Sequence, residues 1–111
     1  MEVNLVLSTA GSLTEGKKIA RRLVEEGLAA CVNVIPGVFS FFSWEGKLCQ
    51  EREVLILAKT RKSNNSKIIR KIKELHSYEV PEVLFLPLVG GEEKYLQWVR
   101  QSVKKRNKKN Y

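Results

Sequence analysis

The first segment of the chain alternates apolar and polar side chains over residues 3–8, which is the period of a half-buried β-strand. Helical spacing follows, with lysine, arginine and glutamate on one face and apolar side chains on the other (Ile19, Ala20, Leu23 and Val24). Ser12 and Glu15 form a capping-box pattern at the start of this helix, and Gly27 is suited to end it. These residues predict a strand followed by an amphipathic helix.

The longest β-pattern, residues 28–60, predicts a hairpin that turns at Glu45-Gly46. Pro36-Gly37 cannot occupy a regular central ladder, because proline lacks an N–H group, and we expect a bulge or bend there. Beyond the bend, one strand carries aromatic side chains and the other carries mostly charged ones, on a ribbon that a small domain cannot cover. We therefore expect the aromatic residues to be buried against other subunits, with contacts through Phe39, Phe41 and Trp44.

The remaining patterns complete the order of elements. A second helical stripe starts near residues 63–66 and ends at His76, and residues 81–89 are almost continuously apolar, as in a strand covered on both faces. A last helix follows Gly90-Gly91. The order β-α-β-β-α-β plus a C-terminal helix predicts an α+β, ferredoxin-like fold. The chain has 111 residues, which favours one domain over residues 1–103 and a basic tail over residues 104–111.

The net charge of +8 is concentrated in that tail, whose five lysine and arginine residues leave only +3 for the rest of the chain. Such a run is usually a solvated tail, so we expect no specific nucleic-acid partner. No stretch approaches the roughly 20 apolar residues of a membrane span, and no secretory signal pattern is present. These observations predict a cytoplasmic protein without a membrane partner.

Catalytic motifs are incomplete. Residues 11–18 follow a strand and open a helix, as a phosphate-binding loop does, but Lys18 replaces the hydroxyl that would hold Mg²⁺. The chain has one histidine, no aspartate and no Gly-x-Ser-x-Gly turn, which argues against a nucleophilic triad. We therefore expect a binding protein that is not an enzyme and uses no nucleotide.

Metal-ligating residues are few. His76 is a packed ring bonded to a backbone carbonyl, a cation favoured by the helix C-terminus, or a ligand for Cu²⁺ or Zn²⁺, assisted by a carboxylate such as Glu79 or Glu82. Cys31 is either a small core residue or a thiolate ligand for Cu(I). Cys49 is predicted opposite Phe42, roughly 36 Å along the hairpin from Cys31, so we expect no disulfide. These ligands do not provide a closed structural zinc site.

Motifs across nearly the whole chain resemble the CutA divalent-cation-tolerance family. They are residues 28–37, 43–48 and 51–60, His76-x-Tyr78-x-x-Pro81-Glu82, and Tyr95-Leu96-x-Trp98. The resemblance implies a ferredoxin-like fold, a homotrimer formed by edge pairing of long hairpins, and copper tolerance through metal binding. Some members use a cysteine and a second histidine as copper ligands. Ser8 and Leu75 occupy those positions here, which leaves His76 of that set.

The family is similar in architecture to the PII signal proteins, whose ligands occupy clefts between subunits. On that interpretation, Glu51, Lys59 and Tyr78 would line a cleft for a small molecule. A third interpretation is a structural trimer that acts as a scaffold for a partner. The preferred hypothesis is a homotrimer that binds divalent copper, or alternatively zinc, weakly through His76 at or near a subunit interface.

Overall fold

The computed structural model describes residues 2–103 and confirms the predicted order of elements. Strands β1 (Val3–Ala10), β2 (Cys31–Trp44), β3 (Lys47–Arg61) and β4 (Val83–Pro87) form an antiparallel sheet in the order β2-β3-β1-β4. The helices are α1 (Leu13–Glu25), α2 (Asn65–Leu75), which a 3₁₀ turn over Lys62–Asn64 precedes, and α3 (Glu93–Ser102). The predicted tail lies outside the described residues, so the division into a domain and a tail stays a prediction.

Helix α1 begins and ends where its local signals predict. The Ser12 hydroxyl accepts a hydrogen bond from the Glu15 N–H at 3.1 Å, which caps the first turn. Gly27 has φ +71°, the left-handed conformation in which the chain leaves a helix. A Cβ atom on Gly16 would lie 2.7 Å from Cγ2 of Val54, so this glycine allows α1 to pack closely on β3.

The hairpin of β2 and β3 follows the predicted register. Glu45-Gly46 forms the turn, and Phe42 lies opposite Cys49. The register shifts between Ile35 and Val38, and Gly37 has φ +77°, which confirms the bulge at Pro36-Gly37. Both cysteines are free, as expected.

One face of the sheet packs against α1 and α2 and forms the main hydrophobic core. We call it the helix-covered face. Its strand residues Val6, Ile56 and Ala58 are each 1% exposed, and the helices contribute fully buried side chains (Ile19, Leu23, Ile68 and Ile72). Helix α3 is not part of this core and forms a second, smaller cluster, in which Leu96 and Val99 pack against Val3.

The opposite face of the sheet is only partly covered. Leu7 lies between Leu57 and Leu84 across the strands, and Leu84 remains 53% exposed. The interpretation of β4 as a strand covered on both faces is therefore wrong for a single chain, because α3 reaches only the Val3 end of this face. We call this surface the open face (Leu5, Leu7, Ile35, Leu55, Leu57, Leu84 and Leu86).

Candidate functional site

The turn after α2 is anchored by His76. Its imidazole is fully buried, Nε2 donates to the Thr9 carbonyl at 2.7 Å, and Nδ1 accepts from the Tyr78 N–H at 3.0 Å. Because the first partner only accepts and the second only donates, these bonds define a neutral ring with its proton on Nε2. A metal ion could reach either nitrogen only after one of these bonds had broken.

Glu15 joins the start of α1 to the same turn. Its carboxylate accepts hydrogen bonds from the N–H and the hydroxyl of Ser77, and it lies 3.9 Å from Nδ1 of His76. Burial raises the pKa of this carboxyl, but the hydrogen bonds from Ser77 outweigh that effect and hold the pKa of Glu15 below its ordinary value. The ionised Glu15 therefore holds the turn against α1.

Tyr78 connects the turn to the hairpin. Its hydroxyl donates to Oε2 of Glu53 at 2.8 Å. Burial, together with the bond to Glu53, raises the pKa of Tyr78 to about 12, so the hydroxyl remains a donor at neutral pH. A Cβ atom on Gly11 would lie 3.2 Å from this hydroxyl, so the glycine leaves room for it. This hydrogen bond ties Glu53 of the hairpin to the turn after α2.

An open cleft of about 810 Å³ lies between the hairpin and this turn. Its charged residues are Glu51, Glu53 and Glu82, and none of its lining residues is lysine or arginine. Aromatic side chains form much of the remaining wall (Phe41, Phe42, Trp44 and Tyr78). We call this site the acidic cleft. Three carboxylates with no lysine or arginine among the lining residues favour a negative potential inside the cleft.

The structure brings some of the predicted site residues together and separates others. Glu51, Tyr78 and Glu82 all line the acidic cleft. Lys59 does not line it, because its ammonium group donates to Asn33 and lies 3.9 Å from Sγ of Cys31. Thr9 lines the cleft, and the residue that pairs with Thr9 on β3 lies roughly 13 Å along that strand from Lys59. Lys59 and Cys31 therefore lie outside the acidic cleft.

Glu53 was not among the site residues predicted from the sequence, and Glu15 was predicted only as part of a helix cap. A signal for Glu53 was available, because it follows Glu51 by two positions on a predicted strand and alternation places both on one face. The bond from Tyr78 could not be predicted in this way, since 25 residues separate it from Glu53.

A complete set of metal ligands is absent from the described part of the chain. Within residues 2–103, no group of three or more histidine, cysteine or acidic side chains is arranged to hold a metal ion. Ser8, which the resemblance aligned with a copper-ligand position of some family members, is buried and donates to the Glu82 carbonyl at 2.6 Å. The residues that fit a divalent cation best are the cleft carboxylates, which offer oxygen donors without a fixed geometry.

The fold and the cleft define a small α+β protein with an acidic cleft on its surface. Comparison with known proteins agrees with this class. A family model described as CutA1 divalent ion tolerance protein matches residues 4–102. The chain therefore belongs to the CutA1 family.

Individual relatives match over most of the chain. It is 42% identical over 98 residues to the divalent-cation tolerance protein CutA of Thermus thermophilus, covering 88% of this chain and 95% of that protein. It is also 42% identical over 100 residues to the chloroplastic protein CutA of Arabidopsis thaliana, covering 90% of this chain and 55% of that protein. The chain thus spans little more than half the length of this plant relative.

A solved structure gives the same result for the fold. The periplasmic divalent cation tolerance protein CutA of Archaeoglobus fulgidus superposes with a TM-score of 0.88 and 38% identity, covering 92% of this chain and 99% of that chain. The whole antiparallel sheet with its three helices is therefore the CutA architecture.

The prediction from the sequence that the protein is cytoplasmic is wrong. One relative is named as chloroplastic and another as periplasmic, so proteins of this family are not confined to the cytoplasm. No helix in residues 2–103 is long and apolar enough to cross a membrane. That finding does not identify a compartment.

Proposed function

We propose that the chain is a CutA-type protein that binds divalent cations, works as a homotrimer and is not an enzyme. Divalent copper is the proposed ion and zinc is the alternative. The observation that carries the proposal is the presence of Glu51, Glu53 and Glu82 in one cleft, beside the turn that holds His76. The family name supports a binding role, because it refers to tolerance of divalent ions and not to a reaction.

Glu51 and Glu82 are the first proposed ligands. Both residues are exposed, and neither forms an ion pair within residues 2–103. His76 is a ligand in this proposal only when its ring releases Thr9 or Tyr78, and the hydrogen bond lost on release weakens the site. Cys31 is a candidate thiolate ligand for Cu(I). Its site is separate, because Cys31 lies beside Lys59 and away from the cleft.

The homotrimer is supported by apolar surface that one chain leaves uncovered. On the open face, Leu84 and Leu86 are 53% and 42% exposed, and at the hairpin Phe39, Phe41 and Trp44 are 58%, 63% and 64% exposed. Monomeric proteins rarely keep large apolar patches in water. Strands β2 and β4 are the sheet edges of the described chain and can pair with another copy.

Assembly would also supply the ligands that one chain lacks. The acidic cleft is bordered by Phe41 and Trp44, which are among the proposed trimer contacts. A neighbouring subunit that covers these rings would bring its own polar side chains to the edge of the cleft. A metal site shared between subunits is therefore consistent with the incomplete set of ligands in residues 2–103.

The two alternatives have less support. A PII-like site was expected to combine Glu51, Lys59 and Tyr78, but Lys59 lies outside the cleft that holds the other two. No contact among the described residues specifically favours a scaffold role over metal binding. The family name refers to divalent ions, which also favours the metal hypothesis.

Calorimetric titration of tag-free protein with Cu²⁺ and with Zn²⁺ tests the proposal. Saturable binding that is lost in the double variant Glu51→Gln/Glu82→Gln is the expected result. Glu25→Gln is the matched control, because Glu25 is an exposed glutamate of α1 outside the cleft. His76→Ala, checked for a retained fold by circular dichroism, shows whether the imidazole takes part. Absence of saturable binding for both ions would contradict the metal-binding proposal.

A further inference from the structure

The helices on the covered side of the sheet are strongly basic. Helix α1, helix α2 and the 3₁₀ turn between β3 and α2 contain nine lysine and arginine residues but only three glutamates. These helices pack on the face of the sheet opposite the open face. Their outer surface therefore stays accessible in the proposed trimer, which covers the open face and the hairpin.

An open groove of about 390 Å³ lies on α1 within this surface. We call it the basic groove. All of its lining residues belong to α1 and are polar or charged (Thr14, Lys17, Lys18, Arg21, Arg22 and Glu25). None of them is among the proposed trimer contacts, and none lines the acidic cleft.

Three of the four cations in the groove form no ion pair within residues 2–103. Arg22 is paired, because its Nε and Nη2 donate to Oε2 of Glu26 at 2.9 and 2.7 Å. Lys17, Lys18 and Arg21 form no such pair and are exposed. Three positive charges on one stretch of helix are therefore not balanced by the described chain.

The spacing of these three cations adds repulsion within α1. Lys17 lies four positions before Arg21 and Lys18 lies three positions before it, so both lysines are neighbours of Arg21 on the helix surface. Like charges at these spacings destabilise a helix. An anion bound between the three side chains would replace this repulsion with attraction.

The lining of the groove favours a small inorganic anion. Helices α1 and α2 contain no aromatic residue on which a nucleic-acid base could stack. None of the lining residues is an apolar side chain that could enter a lipid surface. A single phosphate group has a charge of about −1.5 to −2 at neutral pH, so two linked phosphate groups are needed to balance three cations.

We propose that the basic groove binds inorganic diphosphate. The guanidinium of Arg21 donates two parallel hydrogen bonds to one phosphate group, the geometry that arginine offers to such oxyanions. The ammonium groups of Lys17 and Lys18 pair with the other phosphate group. The groove and the acidic cleft share no residue, so this inference is independent of the metal-binding proposal.

Calorimetric titration of metal-depleted, tag-free full-length protein with sodium diphosphate tests the inference. Low ionic strength is required, because salt screens exposed charges. The comparison probes are orthophosphate, adenosine diphosphate and a hexaglutamate peptide. We expect saturable binding of one diphosphate per chain, at least tenfold weaker binding of orthophosphate, and no tighter binding of either other probe.

Two variants of equal charge separate the groove from the other cations of the chain, including those of the tail. Arg21→Gln should weaken diphosphate binding about tenfold, because it removes a bidentate, charged donor. Arg70→Gln is the matched control and should bind as the wild type does, since Arg70 is an exposed arginine of α2 outside the groove. Glu25→Gln removes the one carboxylate among the lining residues and should strengthen binding about twofold.

Four results would each overturn the inference. The first is the absence of saturable diphosphate binding, and the second is an equal loss of affinity in Arg21→Gln and Arg70→Gln. The third is binding of orthophosphate as tight as that of diphosphate. The fourth is tighter binding of adenosine diphosphate or hexaglutamate, which would assign the groove to a nucleotide or to an acidic protein segment. None of these results bears on the Cu²⁺ and Zn²⁺ titrations.

Discussion

The two faces of the sheet carry similar apolar side chains but differ in how they are covered. On the helix-covered face, Val6 and Ile56 are each 1% exposed, whereas on the open face Leu84 and Leu86 are 53% and 42% exposed. Alternating positions of the same strands supply both faces. Helices α1 and α2 pack on the first face, but α3 covers only the Val3 end of the second.

This difference separates the face that one chain buries by itself from the face that the proposed trimer would cover. The helix-covered face is a core that one chain buries completely, so substitutions there should alter the stability of each chain. The open face and the end of the hairpin stay exposed in one chain, so substitutions there should alter the proposed assembly. The acidic cleft lies between these two regions. On one side, Glu15 holds the turn after α2 against α1, and on the other side the cleft is lined by the exposed Trp44 of the hairpin.

The largest effect is expected on the helix-covered face. Ile19 is 0% exposed, so Ile19→Ala should lower the free energy of unfolding by about 2–5 kcal/mol through lost burial and an unfilled cavity. Guanidinium unfolding monitored by circular dichroism measures this change. Val24→Ala, on the same helix but 45% exposed, is the control and should change stability by about 0.5 kcal/mol or less. Equal losses in the two variants would contradict the assignment of this face as the core.

The next effect is expected at the hairpin. Trp44 is 64% exposed in one chain, and Trp44→Ala should leave the chain folded but weaken the proposed trimer by about 2 kcal/mol, the scale of an aromatic interface anchor. Sedimentation velocity at micromolar concentration detects the smaller species. Lys47→Ala, which changes the residue paired with Trp44 across the turn, serves as the control. An unchanged distribution in Trp44→Ala would remove this residue from the interface.

The smallest effect is expected at Glu15, beside the acidic cleft, and it depends on pH. Because the pKa of Glu15 is lowered in the folded state, its stabilisation is present above the ordinary value of 4.5 and is lost as pH falls through the folded value. Glu15→Gln should therefore cost about 1.5 kcal/mol at pH 7, the scale of a hydrogen bond to a charged group, and less at pH 3 than at pH 7. Guanidinium unfolding at both pH values tests this, with Glu25→Gln as the control. An equal deficit at pH 7 and pH 3 would show that the carboxylate charge is not the cause.

Local features of the fold could be predicted because neighbouring residues determine them. The cap by Ser12, the left-handed Gly27 and the bulge at Pro36-Gly37 all follow from the conformations that these residues favour. The register of the hairpin followed from its two-residue turn, which is why Cys49 was correctly placed opposite Phe42.

Contacts between distant segments could not be predicted in the same way. The sequence left open whether His76 is a ligand or a packed ring, and only the folded chain shows that Thr9 and Tyr78 bond both of its nitrogens. The separation of Lys59 from Tyr78 likewise depends on strand register and not on residue type. The exposure of Leu84 was missed because an apolar strand pattern does not reveal whether its cover comes from the same chain.

The solution mass of the protein, measured by light scattering after size exclusion at micromolar concentration, shows whether three copies assemble. If other copies of the chain cover the open face, the wild type should have the mass of three chains. Leu84→Glu, which places a charge on that face, should give smaller species with a retained circular dichroism spectrum. A wild-type protein with the mass of one chain would show that the open face is not covered by other copies.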